Sequence, residues 1–294
     1  MLTRRQFVAA AAGVAVGATT FGASAAAQPP LANGTDSGRT TFIDGASIEP
    51  ERLAEWERRR ADSAAARLSA HYLDLAGDEL SAPISPAALA ADDIDSARTA
   101  LAQARASIGA DGLRRMLAAE VATSDAVTRA ALAASGNRWA VSAAEIVSGR
   151  GSSEGFADWF TREREADDRP VWTGACPDHY LIETGADGRQ EVYEVTGGAV
   201  LVSRFFVDYT DRDRVPVPAD PDYPLAIAGT AWLAGGELIG GVRHQLRAEP
   251  GGGFRAKLGV AFPAAVPARN ISEHQWHLAV EFGNWITVYL NSLG

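Results

Sequence analysis

Apolar positions along this chain change their period once, near Pro170. From residue 50 to about 149 they recur every three or four residues. The first set is Leu53, Trp56, Leu68, Tyr72 and Leu75; the next is Leu89, Ile94, Ala97, Leu101, Ala104 and Ile108; Leu113, Met116, Leu117 and Val121 follow. That spacing puts one apolar stripe on each of a series of helices. Ser85-Pro86 supplies a capping residue with proline at the first helical position. Gly109, Asp111-Gly112, Ser124-Asp125 and Asn137 break or restart the pattern, the last running toward Ile146. Residues 50–149 therefore read as a helical domain of four or five short helices. Its core is alanine-rich and thin, so it is expected to pack on the rest of the chain. A connecting segment, 150–170, carries Phe156, Trp159 and Phe160 at helical spacing, an aromatic anchor onto a neighbour.

Beyond Pro170 the period drops to two, the signature of strands. Residues 179–184 and 190–196 flank Ala186-Asp187-Gly188-Arg189, a hairpin signal containing Asp-Gly. Residues 200–209 alternate, 225–233 and 237–249 pair across Gly235-Gly236, and 254–262 follow the turn Pro250-Gly251-Gly252-Gly253. Pro263 and Pro267 end the sheet, and a helix is expected from Ser272, with Gln275 at capping-box spacing. The expected fold class is α+β. An N-terminal Ala-rich helical region precedes a C-terminal antiparallel sheet of about six strands (residues 171–294), closed by one long amphipathic helix across one face. Over roughly 175–294 this element order is similar to the helix-grip and cone-shaped folds. The resemblance implies a cavity for an apolar small molecule between a curved sheet and a helix.

The start of the chain bears on where it works. Residues 1–27 read as a twin-arginine-type signal peptide: Arg4-Arg5, an Ala/Gly-rich apolar run from Val8 to Phe21, then Ala25-Ala26-Ala27 before Gln28. The run is too short and too weakly apolar for a convincing span, so a secreted chain with no stable membrane insertion after cleavage is expected. Residues 28–49, polar and turn-rich, read as a flexible linker. The net charge of −10 argues against nucleic acid or an anionic membrane as partner, because phosphate binding needs a basic footprint. Cys176 is the lone cysteine, so no internal disulfide supports the core.

Candidate chemistry concentrates in the second half, which holds four of the five histidines and Cys176. Cys176-Pro177-Asp178-His179 has C-x2-H spacing and His274 to His277 has H-x2-H spacing. Cys176, His179, His274 and His277 are thus metal candidates, with zinc the cation suited to sulfur and imidazole donors. Neither spacing is an established zinc signature. Cys176 is also a candidate nucleophile, with His274 or His277 as base and Glu281 or Asp178 orienting it. On the closing helix, His274, His277 and Glu281 share one stripe, with Leu278, Phe282, Trp285 and Tyr289 beside it. His244, on an expected inward strand face, joins His274, His277, Glu281 and Trp285 as candidate ligand contacts. Phe205, Phe206, Trp232 and Trp276 are further candidates to line a cavity. The leading expectation is an exported soluble protein that binds a small apolar or amphipathic ligand between sheet and helix. The alternatives are a metal- or cysteine-dependent enzyme centred on Cys176, His179, His274 and His277, and a cell-surface interaction module.

Overall fold

The computed structural model describes residues 38–75, 93–167 and 169–294. The signal-like segment 1–27, the first part of the linker and the Ser85-Pro86 helix start lie outside the described residues.

The fold is α+β. In chain order its elements are β1 (Arg39–Ile43), β2 (Ala46–Ile48), α1 (Pro50–Leu75), α2 (Ile94–Ser135), β3 (Trp139–Ser148), α3 (Ser153–Ala166) and α4 (Arg169–Gly174). Six strands follow: β4 (His179–Thr184), β5 (Gln190–Glu194), β6 (Ser203–Asp208), β7 (Leu225–Trp232), β8 (Leu238–Ala248) and β9 (Phe254–Pro263). The helix α5 (Ala268–Ser292) closes the chain. The strands make one nine-stranded antiparallel sheet in the order β2-β1-β3-β9-β8-β7-β6-β5-β4. Strands β4 to β9 form the expected six-stranded meander. The other three come from upstream and extend it at the β9 edge.

Those three strands correct two sequence expectations. Residues 39–43 and 46–48 are not a loose tether: they form a hairpin whose turn, Asp44-Gly45, has φ of 51° and 77°. Positive φ at both positions is the two-residue turn that suits strand twist, and Asp-Gly is its usual sequence. Residues 139–148, expected as the end of a helix, pair with β9 along their whole length. Ser142, Ala144, Ile146 and Ser148 are the buried positions, a period of two. Because three of the four are small, the alternation leaves little trace in hydropathy.

The helical region is also simpler than its sequence suggests. Within the described residues it contains two long helices, α1 and α2, where four or five short ones were expected. Asp93 caps α2 by accepting from the Ser96 amide at 2.8 Å, and Gly136 ends it in the left-handed conformation. Asp111-Gly112 and Ser124-Asp125 lie inside this helix. Only Gly109, at φ 71°, interrupts its path. The closing helix begins at Ala268, earlier than the expected Ser272. The Ser272 hydroxyl donates to the Arg269 carbonyl from inside the helix, so no capping box forms there.

Two main apolar cores result, with two small satellite clusters, among the described residues. In the larger, α5 and α3 lie against the sheet, with Phe156, Phe160, Trp172, Phe254, Phe282, Trp285 and Ile286 at its centre. In the smaller, α1 and α2 pack Leu68, Leu101, Leu113 and Leu117 against Tyr180, Tyr193 and Val195. Strands β4 and β5 are thus covered on both faces, since Ile182 and Val192 belong to the larger core. That double cover removes from water whatever polar groups these two strands carry. No helix among the described residues is long and apolar enough to cross a membrane.

Candidate functional site

Three structural elements converge at one end of the larger core. His179 is the first residue of β4 and Glu194 the last of β5, directly opposite in the strand register. On α5, His274, His277 and Glu281 follow one another at intervals of three and four, so they project from one face. The turn after β5 approaches that face closely. Gly197 sits at φ 57°, and a Cβ there would lie 2.5 Å from the His274 amide nitrogen, so only glycine allows this contact.

The side chains meet tip to tip. Nε2 of His179 is 3.1 Å from Nε2 of His277. Nε2 of His179 is 3.6 Å from a carboxylate oxygen of Glu194 and 3.6 Å from one of Glu281. Nε2 of His277 is 4.0 Å from Glu194 and 3.9 Å from Glu281. His274 stacks on His277, with ring planes 6° apart and centroids 4.9 Å apart. A nitrogen of His274 lies within 4.8 Å of donor atoms of Glu194 and His277. Its Nδ1 faces the Ser142 hydroxyl at 3.3 Å.

Behind the imidazoles stands a supporting layer. Nδ1 of His179 is 2.9 Å from the Trp172 carbonyl, which can only accept, so the ring donates there and keeps a bare lone pair on Nε2. Nδ1 of His277 faces the Asp178 carboxylate at 3.7 Å and the Cys176 sulfur at 3.8 Å. Arg60 donates to both Asp178 oxygens, Nε to Oδ2 at 2.8 Å and Nη2 to Oδ1 at 2.7 Å. A two-point grip of this kind fixes the carboxylate plane as well as its position.

Burial dominates the electrostatics. It pushes the Glu194 carboxyl up to about 8, helped by the charge of Asp178. Burial, and then the charge of Glu194, holds Glu281 well above the usual carboxylate range. His179 and His277 are lowered to about 3, by burial first, then by one another's side for His179 and by Arg60 for His277. Burial and the neighbouring His274 lower His244 to about 3 as well. His274 is itself held well below the imidazole range by burial, then by His277 and His179. Without a cation, the cluster stays neutral by keeping protons on its acids and off its bases.

A cavity of about 670 Å³ opens from this cluster. Its walls come from the inward faces of β4 to β9, α5 and the C-terminal half of α2, and they are mainly apolar, including Ile182, Val192, Phe205, Val207, Val242 and Val260. Glu194, His244, His274, His277, Glu281 and Trp285 form its polar end. Exposed Val127 and Val200 are also among the lining residues. Two buried polar atoms on lining residues have no hydrogen-bond partner: Nε2 of Gln190 and Nδ1 of His244. Gln190 uses its carbonyl oxygen to accept from the Tyr209 hydroxyl at 3.2 Å, which leaves its amide hydrogens unpaired.

The candidate metal and ligand residues Cys176, His179, His244, His274, His277, Glu281 and Trp285 fall in or beside this region, on different sides of it. His244 packs against Phe282 with ring centroids 4.4 Å apart and planes tilted by 46°, and Trp285 donates its indole N–H to the Val171 carbonyl at 3.1 Å. Phe205 lines the cavity, whereas Phe206, Trp232, Trp276, Phe282 and Tyr289 are not among its lining residues. Cys176 is buried behind the His277 ring, away from the cavity wall. Burial and then Asp178 raise its thiol well above the usual range, so it is not poised as a nucleophile.

Sequence reasoning passed over Glu194, Gln190 and Arg60. Strand alternation carried the first two: Gln190, Val192 and Glu194 share a face with the cavity-lining Val192 between two polar residues. Arg60 sits in a run of three arginines that reads as a solvated face, and nothing local singles it out. Neither a family model nor a curated protein matches the chain, which leaves its chemistry to be inferred from these side chains.

Proposed function

We propose that this protein binds a small, mainly apolar molecule with a polar head in the cavity between the sheet and α5. The observation that carries this reading is a pair of orphaned polar atoms, Gln190 Nε2 and His244 Nδ1, on the wall of a mainly apolar cavity. A buried donor or acceptor left unpaired costs about 1–3 kcal/mol, a cost that a ligand's hydrogen bonds would remove. The volume of about 670 Å³ falls within the range of small-molecule sites, roughly 300–1,000 Å³. The apolar lining would take the body of the ligand, and the His244, His274 and Glu281 end would take its head. With the signal-like segment at 1–27, the protein would do this outside the cytoplasm.

The test uses the purified full chain and a fluorescent medium-chain fatty acid as probe. Saturable binding is expected, abolished by Val260→Trp, which fills the cavity. Gln190→Leu should weaken it roughly tenfold, the equivalent of about one hydrogen bond. Absence of saturable binding, together with no organic molecule extracted from the protein, would overturn the reading.

A further inference from the structure

The polar end of the cavity has a geometry that ligand binding does not require. We infer that it is a site for one divalent transition-metal ion, held by Nε2 of His179, Nε2 of His277 and the carboxylates of Glu194 and Glu281. This goes beyond the ligand-binding reading and does not depend on it.

The first support is distance. Ligands about 2.0–2.2 Å from a four-coordinate ion stand about 3.3–3.6 Å from one another. The two Nε2 atoms stand 3.1 Å apart and lie 3.6 and 4.0 Å from Oε2 of Glu194, distances that bracket that value; Glu281 presents Oε1 to His179 at 3.6 Å and Oε2 to His277 at 3.9 Å, so its carboxylate straddles the pair. The donors come from the end of β4, the end of β5 and two turns of α5, so regular secondary structure sets these positions.

The second support is direction. Metal-binding imidazoles characteristically direct their remote nitrogen at a carbonyl or carboxylate, which fixes the ring and its tautomer. His179 is placed this way against the Trp172 carbonyl at 2.9 Å; Nδ1 of His277 lies on the side of Asp178, itself gripped by Arg60, at 3.7 Å, longer than a hydrogen bond. Without an ion, Nε2–H of His277 can donate to the bare Nε2 of His179 at 3.1 Å; a cation would take the place of that proton, with both lone pairs turned toward it.

The third support is charge. Among the described residues, no arginine or lysine lies within 4.0 Å of the Glu194 or Glu281 carboxylates; the imidazoles of His179 and His277 do. Two carboxyl groups around one imidazole pair, largely out of water and with no arginine or lysine beside them, are the setting that a dication neutralises. Two imidazole nitrogens and two carboxylate oxygens suit zinc, iron(II), cobalt(II) or manganese(II). The open side of the ion would face the cavity.

A set containing sulfur competes. Donor atoms of Cys176, His179 and His277 also lie within 4.8 Å of one another. That ion would sit on the Nδ1 side of His277, where Cys176 would have to ionise beside Asp178 and where the nearest carboxylate is already held by Arg60. The nitrogen–oxygen set asks only that Glu194 and Glu281 give up the protons they hold without a cation, and among the described residues no arginine competes for them.

Metal content of the full chain, measured by mass spectrometry before and after chelation, tests the site. Stripped protein is then titrated with zinc, and with cobalt(II) for its visible spectrum. One ion per chain is expected. Glu281→Gln and Glu194→Gln should each weaken zinc binding at least tenfold, and His277→Ala at least a hundredfold. Cys176→Ser should leave it unchanged. The two glutamine variants keep side-chain shape, so the test survives if His277→Ala fails to fold. Stripped wild-type protein that takes up neither ion would overturn the inference. So would uptake unaffected by both glutamine substitutions, or a thiolate-to-cobalt charge-transfer band that disappears in Cys176→Ser. Because the fatty-acid probe is scored separately, loss of the metal site and loss of the binding cavity are told apart.

Discussion

The helix α5 runs through two environments that differ in almost every respect. Its C-terminal turns carry Phe282, Trp285, Ile286, Tyr289 and Leu290 into a cluster of rings. Phe160 stacks on Phe282 at 6.1 Å, Trp285 meets Phe282 edge-on at 5.0 Å, and Phe156 contacts Phe254, Phe282 and Tyr289. Its N-terminal turns carry His274, His277 and Glu281 to the wall of a cavity. The two regions touch through mixed pairs, His244 on Phe282 and His179 near Trp285. One end of the helix supplies adhesion, and the other is a set of ionisable groups held out of water at a cost. Burying polar groups that could have been apolar is a concession a fold makes where the groups have a task.

If that division holds, substitutions at the two ends should differ in kind as well as size. The largest loss of stability is expected at the aromatic end. Phe282→Ala removes a fully buried ring that contacts four others and should cost about 3–5 kcal/mol, read by chemical denaturation. Zinc affinity should change far less than stability, because no proposed ligand is removed. A Phe282→Ala protein that keeps its stability but loses zinc would erase the distinction between the two ends.

Next in size is Asp178→Asn, which leaves Arg60 facing a neutral amide in a mostly buried pair. Breaking such a pair costs about 3 kcal/mol or more when the remaining charge stays out of water. It also frees the His277 ring to turn, so zinc affinity should fall about 10–100-fold although Asp178 is not itself a ligand. Equal losses in stability with unchanged zinc affinity would make Asp178 purely structural. Gly197→Ala probes the same end more gently. Its added methyl meets the α5 backbone at His274, and a non-glycine residue at φ 57° is strained, so a cost of about 1–2 kcal/mol is expected, with the 196–199 turn pushed off the helix. Calorimetry would read the loss. A neutral effect would mean that the turn yields freely and does not hold the polar end in place.

The sequence made the two ends unequally legible. The aromatic end follows from helical spacing of large residues, and the strands β4 to β9 from alternation punctuated by glycine and proline. Strand β3 escaped because Ser142, Ala144 and Ser148 hide its inward face, and the β1–β2 hairpin because it is short and its Asp-Gly signal sits in a polar stretch. At the polar end, His274, His277 and Glu281 are one helix face and could be read locally. His179 is singled out by its spacing from Cys176, and the structure places it against His277, with the Cys176 sulfur on the Nδ1 side of that same ring. Glu194 depends on hairpin register across β4 and β5, and Arg60 on how α1 docks against the loop before β4. Both are consequences of long-range packing that no local pattern contains.

The smallest expected effect is the sharpest test of the contrast, because its sign depends on the cation. Glutamine in place of Glu194 preserves shape and removes one buried acid. In chelated protein the wild-type carboxyl has a folded pKa near 8 against about 4.5 unfolded, so the folded state binds the proton more tightly. Stability is then greatest below the unfolded value and falls as pH rises toward 8, levelling above it. The histidines do not mask this trend. His179, His244 and His277 have folded values near 3 against an ordinary 6.5, so they cost stability only as pH falls below about 6.5. Between pH 7 and 9, chelated Glu194→Gln should therefore lose less stability than chelated wild type and should be the more stable of the two at pH 9, by about 1 kcal/mol. Zinc should reverse the order, since only the wild type gains fully from it; at a hundredfold excess over Kd that gain is about 2.7 kcal/mol. Thermal unfolding of both proteins, with zinc and with chelator across that pH range, reads all four stabilities. A fixed order in both conditions would mean that Glu194 is an ordinary buried acid and that the N-terminal turns of α5 differ from the C-terminal ones only in polarity.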